Sequence, residues 1–351
     1  MADQSKRPYL RIATEEAFCP PEMFDVYAEI LAEGTLDDPG FMSQWKYFLK
    51  SQSERAVFVR GALASLGEDR IANMDAAGID IAVLSLTSPG VQVMQKDQAT
   101  KFAAFANDVL VDGIAKYPQR YYGLTAVAPQ DPQAAAREIE RGHKLGLKGV
   151  IIHSHTLNEY MDDQKFWPIF EAAEALDTPI YMHPNTPSRD LVRPLMERGL
   201  DGSIYGFSVE TASHLLKIII SGALDRFPKL RFGVGHCGEA IPFWLYRLDH
   251  MHNAMVKAGR YPGVKPLQRK ISEYVKQNFW ITTSGMAWPP AIEFCQRVLG
   301  LDRVLYAMDY PYQYVPAEVG YTESVDISPE AMKMLFQTNA EQFFKLPPAG
   351  R

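Results

Sequence analysis

Eight short apolar runs, separated by longer stretches with helical spacing, limit the folds open to this 351-residue chain more than any other feature. The runs are Tyr9–Phe18, Ile79–Leu86, Tyr121–Pro129, Leu147–Ser154, Pro179–Pro184, Arg231–Gly238, Asn278–Gly285 and Val304–Pro311. Runs of this length, rich in β-branched and aromatic residues and closed by turn residues, read as buried strands. The segments ATKFAAFANDVLVDGIAKYP, PQAAAREIERGHKLG and KFWPIFEAAEALD between them place apolar residues three and four apart, as amphipathic helices do. Strand and helix alternating through eight repeats predicts an α/β fold, a parallel (β/α)8 TIM barrel.

Two connections are too long for simple barrel turns. One runs from Cys19 to Arg70 and follows strand one; the other runs from Asn185 to Lys229 and follows strand five. Long loops in a barrel usually cover the mouth of the active site, so both segments, 19–70 and 185–229, are expected to lie over it. No repeat, low-complexity tract or linker divides the chain, and residues 1–351 are expected to form a single domain. With 47% hydrophobic residues the chain can bury a core of the required size.

The net charge of −6 is spread along the sequence without a basic block, which argues against nucleic acid as a partner. The N-terminal MADQSKRPYLRIATEEAF holds no apolar signal core, and no later stretch is long enough to span a bilayer, so a cytoplasmic protein without membrane contact is expected. Cys19, Cys237 and Cys295 are too scattered for a disulfide framework or a CxxC metal knuckle.

Catalytic groups of barrel enzymes cluster at the C-terminal ends of the strands, and the ionisable residues of this sequence fall there. Strand one ends in Glu15 and Glu16, strand four in His153 and His155, strand five in His183, strand six in His236 with Glu239 beyond it, and strand eight in Asp309. Gathering such groups in one place costs free energy unless a cation or mutual hydrogen bonds compensate. Carboxylate and imidazole without thiolate suit Zn, Mn or Fe held with positions left open, and Glu15, His183 and Asp309 are the expected ligands. A lone strand-end histidine is more often a packing residue, so His153 and His155 stay outside that set. Glu16 is expected to face away from the mouth, because neighbouring strand residues face opposite sides. His143, His214, His250 and His252 fall on helical segments and are read as structural or surface residues.

The motifs TEEAF (14–18), LTSPG (86–90), VAPQDP (127–132), YMHP (181–184), VGHCGEA (234–240) and MDYPYQY (308–314) resemble those of the amidohydrolase-superfamily decarboxylases that act on hydroxylated benzoates. The likeness runs through nearly the whole chain in family order. It implies one divalent metal ion, Mn2+ ahead of Zn2+, on Glu15, His183 and Asp309, with no organic cofactor. It implies a small aromatic carboxylic acid as substrate, with Arg55 and Arg247 at its carboxylates and Thr87 and Tyr312 as hydroxyl contacts. A guanidinium fork suits a carboxylate, although Arg55 also fits an ordinary surface position and Arg247 could pair with Asp249. Members of the family form dimers or tetramers, so a homo-oligomer is implied. Much of the wider superfamily carries a second imidazole two residues after the first-strand ligand, where this sequence has Ala17. That departure argues against a binuclear site.

The implied reaction is non-oxidative decarboxylation. Losing carbon dioxide directly would leave an unstabilised aryl carbanion, so the carboxylated ring carbon must first be protonated. Asp309 or His236 supplies that proton, Asp309 being preferred, and Glu239 orients His236. A metal-dependent hydrolase of a carbon–carbon or amide bond, and a decarboxylase of a different phenolic acid, stay open as alternatives.

Overall fold

A computed structural model describes residues 7–347. Nine strand segments run in one direction: β1 (Ile12–Phe18), β2 (Ile81–Leu86), β3 (Tyr121–Gly123), β4 (Thr125–Ala126), β5 (Val150–His153), β6 (Ile180–His183), β7 (Phe232–Val234), β8 (Phe279–Thr282) and β9 (Val304–Leu305). All adjacent pairs are parallel. β3 and β4 are two halves of one strand. The Leu124 N–H donates to Leu84 O at 2.8 Å and the Thr125 N–H to Gly149 O at 2.8 Å, so pairing passes from β2 to β5 within one residue. The ring closes between its ends, where the Thr14 N–H donates to Tyr306 O at 3.1 Å and the Ala17 N–H to Tyr310 O at 2.7 Å. The result is the eight-stranded barrel that the alternation predicts.

Each strand is nearly or wholly buried, because helices cover the outside and side chains fill the inside. Between strands lie the expected helices, including α5 (Lys96–Lys116), α6 (Pro132–Lys144) and α7 (Trp167–Ala175). Aromatic contacts tie them to the barrel: Phe170 of α7 packs edge-on against Phe232 of β7 at 6.0 Å, and Phe232 stacks on Phe279 of β8 at 5.4 Å.

Several strands are shorter than the apolar runs suggest. β9 stops at Leu305 because the next amides turn elsewhere: the Tyr306 N–H donates to Leu335 O at 2.9 Å and the Ala307 N–H to the Thr283 hydroxyl at 3.1 Å, and beyond them the Glu16 carboxylate takes the Met308 N–H at 3.0 Å and the Tyr310 N–H at 3.2 Å. β7 stops at Val234 because five consecutive residues, His236 to Ala240, take left-handed backbone angles. The connection from Cys19 to Arg70 is largely helical: α1 (Pro21–Glu33), α2 (Pro39–Lys50), α3 (Glu54–Ala64) and the start of α4 (Glu68–Ala77). Its start signals are ordinary ones, with proline in the first turn of α1 and α2 and the side chains of Asp38 and Ser53 capping α2 and α3. Buried Arg70 fastens this lobe to the barrel, donating to Ser65 O, Ala62 O and Ala17 O at 2.8, 2.9 and 2.7 Å. The second long connection carries α8 (Arg189–Met196) and α9 (Gly206–Ile220).

Candidate active site

Glu15 is the centre around which the strand ends are arranged. The sheet turns its side chain inward, where it is 3% exposed, and its Oε2 accepts hydrogen bonds from Tyr181, Ser284 and Thr282, the last at 2.9 Å. Its Oε1 is buried without a hydrogen-bond donor. A side chain on Gly235 would begin 2.7 Å from one carboxylate oxygen and 2.8 Å from the other, so only glycine leaves room for this carboxylate.

Three further groups face it. His183, at the end of β6, presents Nε2 3.4 Å from Glu15 Oε1. Its Nδ1 donates to Pro184 O at 2.7 Å, which turns Nε2 toward Glu15. His236 donates from Nδ1 to Glu239 Oε1 at 2.7 Å, and its Nε2 lies 3.8 Å from Asp309 Oδ2. One ligand atom from each of Glu15, His236 and Asp309 lies within 4.8 Å of the others.

The electrostatics set these groups apart. Burial pushes the Glu15 carboxyl up, but His236, His183 and the hydrogen bonds from Ser284 and Tyr181 outweigh it and hold the group below the ordinary carboxylate range. For Asp309 burial dominates and raises the carboxyl, with His236 only partly offsetting it. His236 is penalised by burial, yet Glu239, Glu15 and Asp309 hold its imidazolium well above the ordinary value. The cluster therefore takes His236 where His183 was expected, with His183 Nε2 beside Glu15; an unpartnered buried carboxylate oxygen, a second carboxylate and imidazole together are a donor set that fits a divalent cation.

The cavity beside these groups has a volume of about 640 Å³. Its wall includes His183, His236, Glu239 and Asp309; Tyr47, Phe48 and Arg55 from the first long connection; and Thr186, Ile204 and Phe207 from the second.

The Amidohydrolase family model matches residues 61–346. The chain belongs to the amidohydrolase family. Among solved structures, the 5-carboxyvanillate decarboxylase of Novosphingobium aromaticivorans is 51% identical to this amidohydrolase, with a TM-score of 0.96 over 99% of this chain and 100% of its own. That structure contains manganese and 4-hydroxy-3-methoxy-5-nitrobenzoic acid. The dihydroxybenzoic acid decarboxylase of Polaromonas sp. JS666, solved with manganese and 2-nitroresorcinol, is 31% identical with a TM-score of 0.84, covering 97% and 98% of the two chains. The gamma-resorcylate decarboxylase of Rhodococcus jostii is 32% identical over 348 residues, 96% of this chain and 98% of its own.

Within this amidohydrolase the residues expected at the substrate are only partly brought together. Arg55 lies exposed in the first turn of α3 and reaches the cavity wall. Tyr312 lines the cavity, and Thr87, buried beneath it, shares a 2.6 Å hydrogen bond with its hydroxyl rather than facing the cavity itself. Arg247 does not line the cavity: it is exposed on the helix Ile241–Ala258. It does not pair with Asp249 either, whose oxygens accept from the Ser272 N–H at 2.9 Å and hydroxyl at 2.6 Å. Glu16 faces outward, as its place beside Glu15 implies, and grips the chain before and after Asp309.

His153 and His155 are both buried rather than solvated, and they part company because Ser154, at φ 40°, ends the strand alternation between them. His153 packs edge-on against His183 at 5.3 Å, while His155 donates to Thr186 O at 3.0 Å. Tyr181, Thr282 and Ser284 are further site residues that the charged strand ends do not reveal. Alternation held the signal: Tyr181 shares its face with His183 two residues on, and Thr282 with Ser284.

Proposed function

We propose that this protein is a metal-dependent decarboxylase of a hydroxylated aromatic acid, converting 5-carboxyvanillate to vanillate and carbon dioxide. The observation that carries the reading is the meeting of Glu15, His236 and Asp309, one ligand atom of each within 4.8 Å of the others, beside a cavity that His236 and Asp309 line. The 51% identity and TM-score of 0.96 with the 5-carboxyvanillate decarboxylase support that substrate over a resorcylate, whose decarboxylase relative is 32% identical.

Glu15, His183 and Asp309 would hold a divalent ion, with Mn2+ favoured by the manganese in both related structures. When bound, such an ion supplies positive charge that holds a phenolate and its neighbouring carboxylate in their anionic forms. Tyr181, Ser284 and Thr282 keep Glu15 fixed and ionised. Asp309 keeps a proton at its carboxyl and delivers it to the ring carbon bearing the carboxylate. Electrons from the ortho phenolate make this possible. The carbon–carbon bond then breaks, carbon dioxide leaves and aromaticity returns. His236, oriented by Glu239, restores the proton to Asp309. Arg55 at the cavity wall binds the carboxylate that is kept, and Tyr312, braced by Thr87, presents its hydroxyl to the ring.

Residues 1–351 act as one domain, working in the cytoplasm as a homo-oligomer. No helix among the described residues is long and apolar enough to cross a membrane. The test is to offer manganese-loaded protein 5-carboxyvanillate and 2,6-dihydroxybenzoate side by side and weigh the products. Vanillate from the first at the higher kcat/KM is expected. Faster loss of carbon dioxide from the second would move the substrate, and a product that has gained water would replace the decarboxylase with a hydrolase.

A further inference from the structure

The first long connection carries its own fastening beside the cavity. α2 ends at Lys50 and α3 begins at Glu54, and the last turn of a helix leaves carbonyls that have no partner within it. Here the Tyr47 carbonyl accepts the Ser51 N–H at 2.9 Å, and the Phe48 carbonyl accepts from the guanidinium of Arg60, whose Nη1 also donates to Ser51 O at 2.9 Å. Arg60 belongs to α3, so a cation of one helix closes the C-terminal end of the other, the end at which positive charge is favoured. Arg60 itself does not line the cavity.

The residues that Arg60 fixes do line it. Tyr47 and Phe48 stand in the wall, Phe48 edge-on to Tyr312 at 5.6 Å. The Ser53 hydroxyl meets that of Tyr47 at 3.0 Å, accepts from the Ser51 hydroxyl at 3.1 Å and caps α3 by accepting the Ala56 N–H at 3.3 Å. Arg55 lies two residues beyond that cap in the same wall, and its charge reaches the Tyr312 hydroxyl, where it works against the rise that burial causes. The contacts therefore run from Arg60 through the end of α2 to Ser53, and so to the backbone that carries Arg55. Arg55 is exposed and free to adopt many rotamers, and a fixed backbone beneath it lowers the cost of holding a carboxylate.

We propose that Arg60 is a positioning residue: by closing the end of α2 onto the start of α3 it holds Arg55 in the cavity wall, where Arg55 takes the carboxylate that the substrate keeps. The inference rests on the decarboxylase reading, which gives that carboxylate to Arg55, and adds the residue on which Arg55 depends. Arg60 touches no part of the substrate, so its effect is confined to ligands that carry the kept carboxylate. A ligand without that group gains nothing from Arg55 and is indifferent to Arg60.

The test uses full-length manganese-loaded protein and an equilibrium readout that needs no turnover. Two nitrophenols are bound and followed by their nitrophenolate absorbance: 4-hydroxy-3-methoxy-5-nitrobenzoate, and 2-methoxy-6-nitrophenol, the same ring without the carboxylate. The ratio of their dissociation constants is compared among wild type, Arg60→Met, the conservative Arg60→Lys, Arg55→Met and the double variant, with folding checked by circular dichroism. Wild type is expected to favour the benzoate by about tenfold or more, the worth of a charge-assisted hydrogen bond. Arg60→Met is expected to cut that preference by about threefold to tenfold through the benzoate alone, and Arg60→Lys to keep most of it. With Arg55 already replaced, Arg60→Met should change the ratio no further. An unchanged ratio in Arg60→Met, an equal loss of affinity for both compounds, a further loss in the double variant, or equal binding of the two compounds by wild type would overturn the proposal. Should Arg60→Met fail to fold, Arg60→Gln takes its place and the same outcomes decide. Carbon dioxide release from 5-carboxyvanillate by wild type is scored separately, so failure of the decarboxylase reading is distinguishable from failure of the role given to Arg60.

Discussion

Asp309 sits in left-handed backbone, at φ 70°, beyond the end of β9, where Glu16 grips the amides before and after it. A residue held that firmly in an uncommon conformation presents one carboxyl to one place. Asp309→Asn is therefore expected to lower kcat by about a hundredfold to ten-thousandfold, the range of a lost general acid, while affinity for the unreactive nitro compound falls far less. Equal losses in both would place Asp309 in binding alone. Gly285 has φ 60°, and an alanine there would meet strain and crowd His236, so Gly285→Ala should lower kcat/KM while leaving most of the fold intact. Far-ultraviolet circular dichroism and steady-state kinetics separate the two effects. His214 offers a test of stability: it is fully buried, accepts the Met161 N–H at 2.8 Å, and burial pushes its imidazole from 6.5 down to about 3. The unfolded chain binds that proton near pH 6.5 and the folded chain does not, so its contribution is present above 6.5 and is lost progressively as pH falls toward 3. Urea midpoints between pH 7.5 and 4 should fall less steeply in His214→Phe than in wild type; parallel curves would contradict this. At this scale the ionisable strand-end residues were legible because a carboxylate or imidazole at the end of an apolar strand needs a reason. The neutral groups Tyr181, Thr282 and Ser284 were not, since nothing in a sequence separates a hydroxyl on Glu15 from one on water. Arg247 lies away from this chain's own cavity, since a sequence shows which helix carries a residue but not toward what its side chain points.

Among elements, the first long connection is held to β1 by a buried cation. Arg70 gives three hydrogen bonds to carbonyls of α3, the turn after it and β1, and its guanidinium lies 4.7 Å over the ring of Tyr310, next to Asp309. Removing it strands those carbonyls and leaves Glu16 without its nearest cation. Arg70→Met is expected to cost about 3 to 5 kcal/mol, measured by chemical denaturation, with the largest loss of amide protection over residues 54–77. A cost under about 1 kcal/mol would mean that the lobe is held by its apolar contacts alone. The eight barrel strands were legible as eight runs because their burial on both faces makes them apolar throughout. Their ends were not, since a strand stops where its hydrogen-bond partners leave, as at β9, and that depends on the distant Leu335 and Thr283. The helices of the first connection had visible signals, proline at the first turn of α1 and α2 and Gly34 in left-handed backbone after α1. Their buried residues also recur three and four apart, Phe41, Trp45 and Phe48 in α2 and Ala56, Val59 and Leu63 in α3, so these helices were legible in the sequence although the expectation for the segment is a loop.

For the molecule as a whole, the helix Ile241–Ala258 exposes Phe243, Trp244 and Tyr246, the last 86% accessible, with the neighbouring Phe294 packed 6.1 Å from Phe243. Aromatic side chains grouped in this way are uncommon on a monomer's surface and mark an interface. The homo-oligomer proposed above would be built there: wild type should scatter light as more than one chain and Tyr246→Glu with Phe243→Glu as one, whereas a wild type with the mass of one chain would remove the oligomer and an unchanged higher mass would put its interface elsewhere. The measurement closest to the central claim is the reaction of 5-carboxyvanillate in deuterium oxide, with manganese-loaded and metal-stripped protein in parallel. The account predicts that only the loaded protein releases carbon dioxide, and that each vanillate formed carries one deuterium on the carbon that held the carboxylate. Carbon dioxide released equally without metal, or vanillate with no deuterium at that carbon, would contradict it.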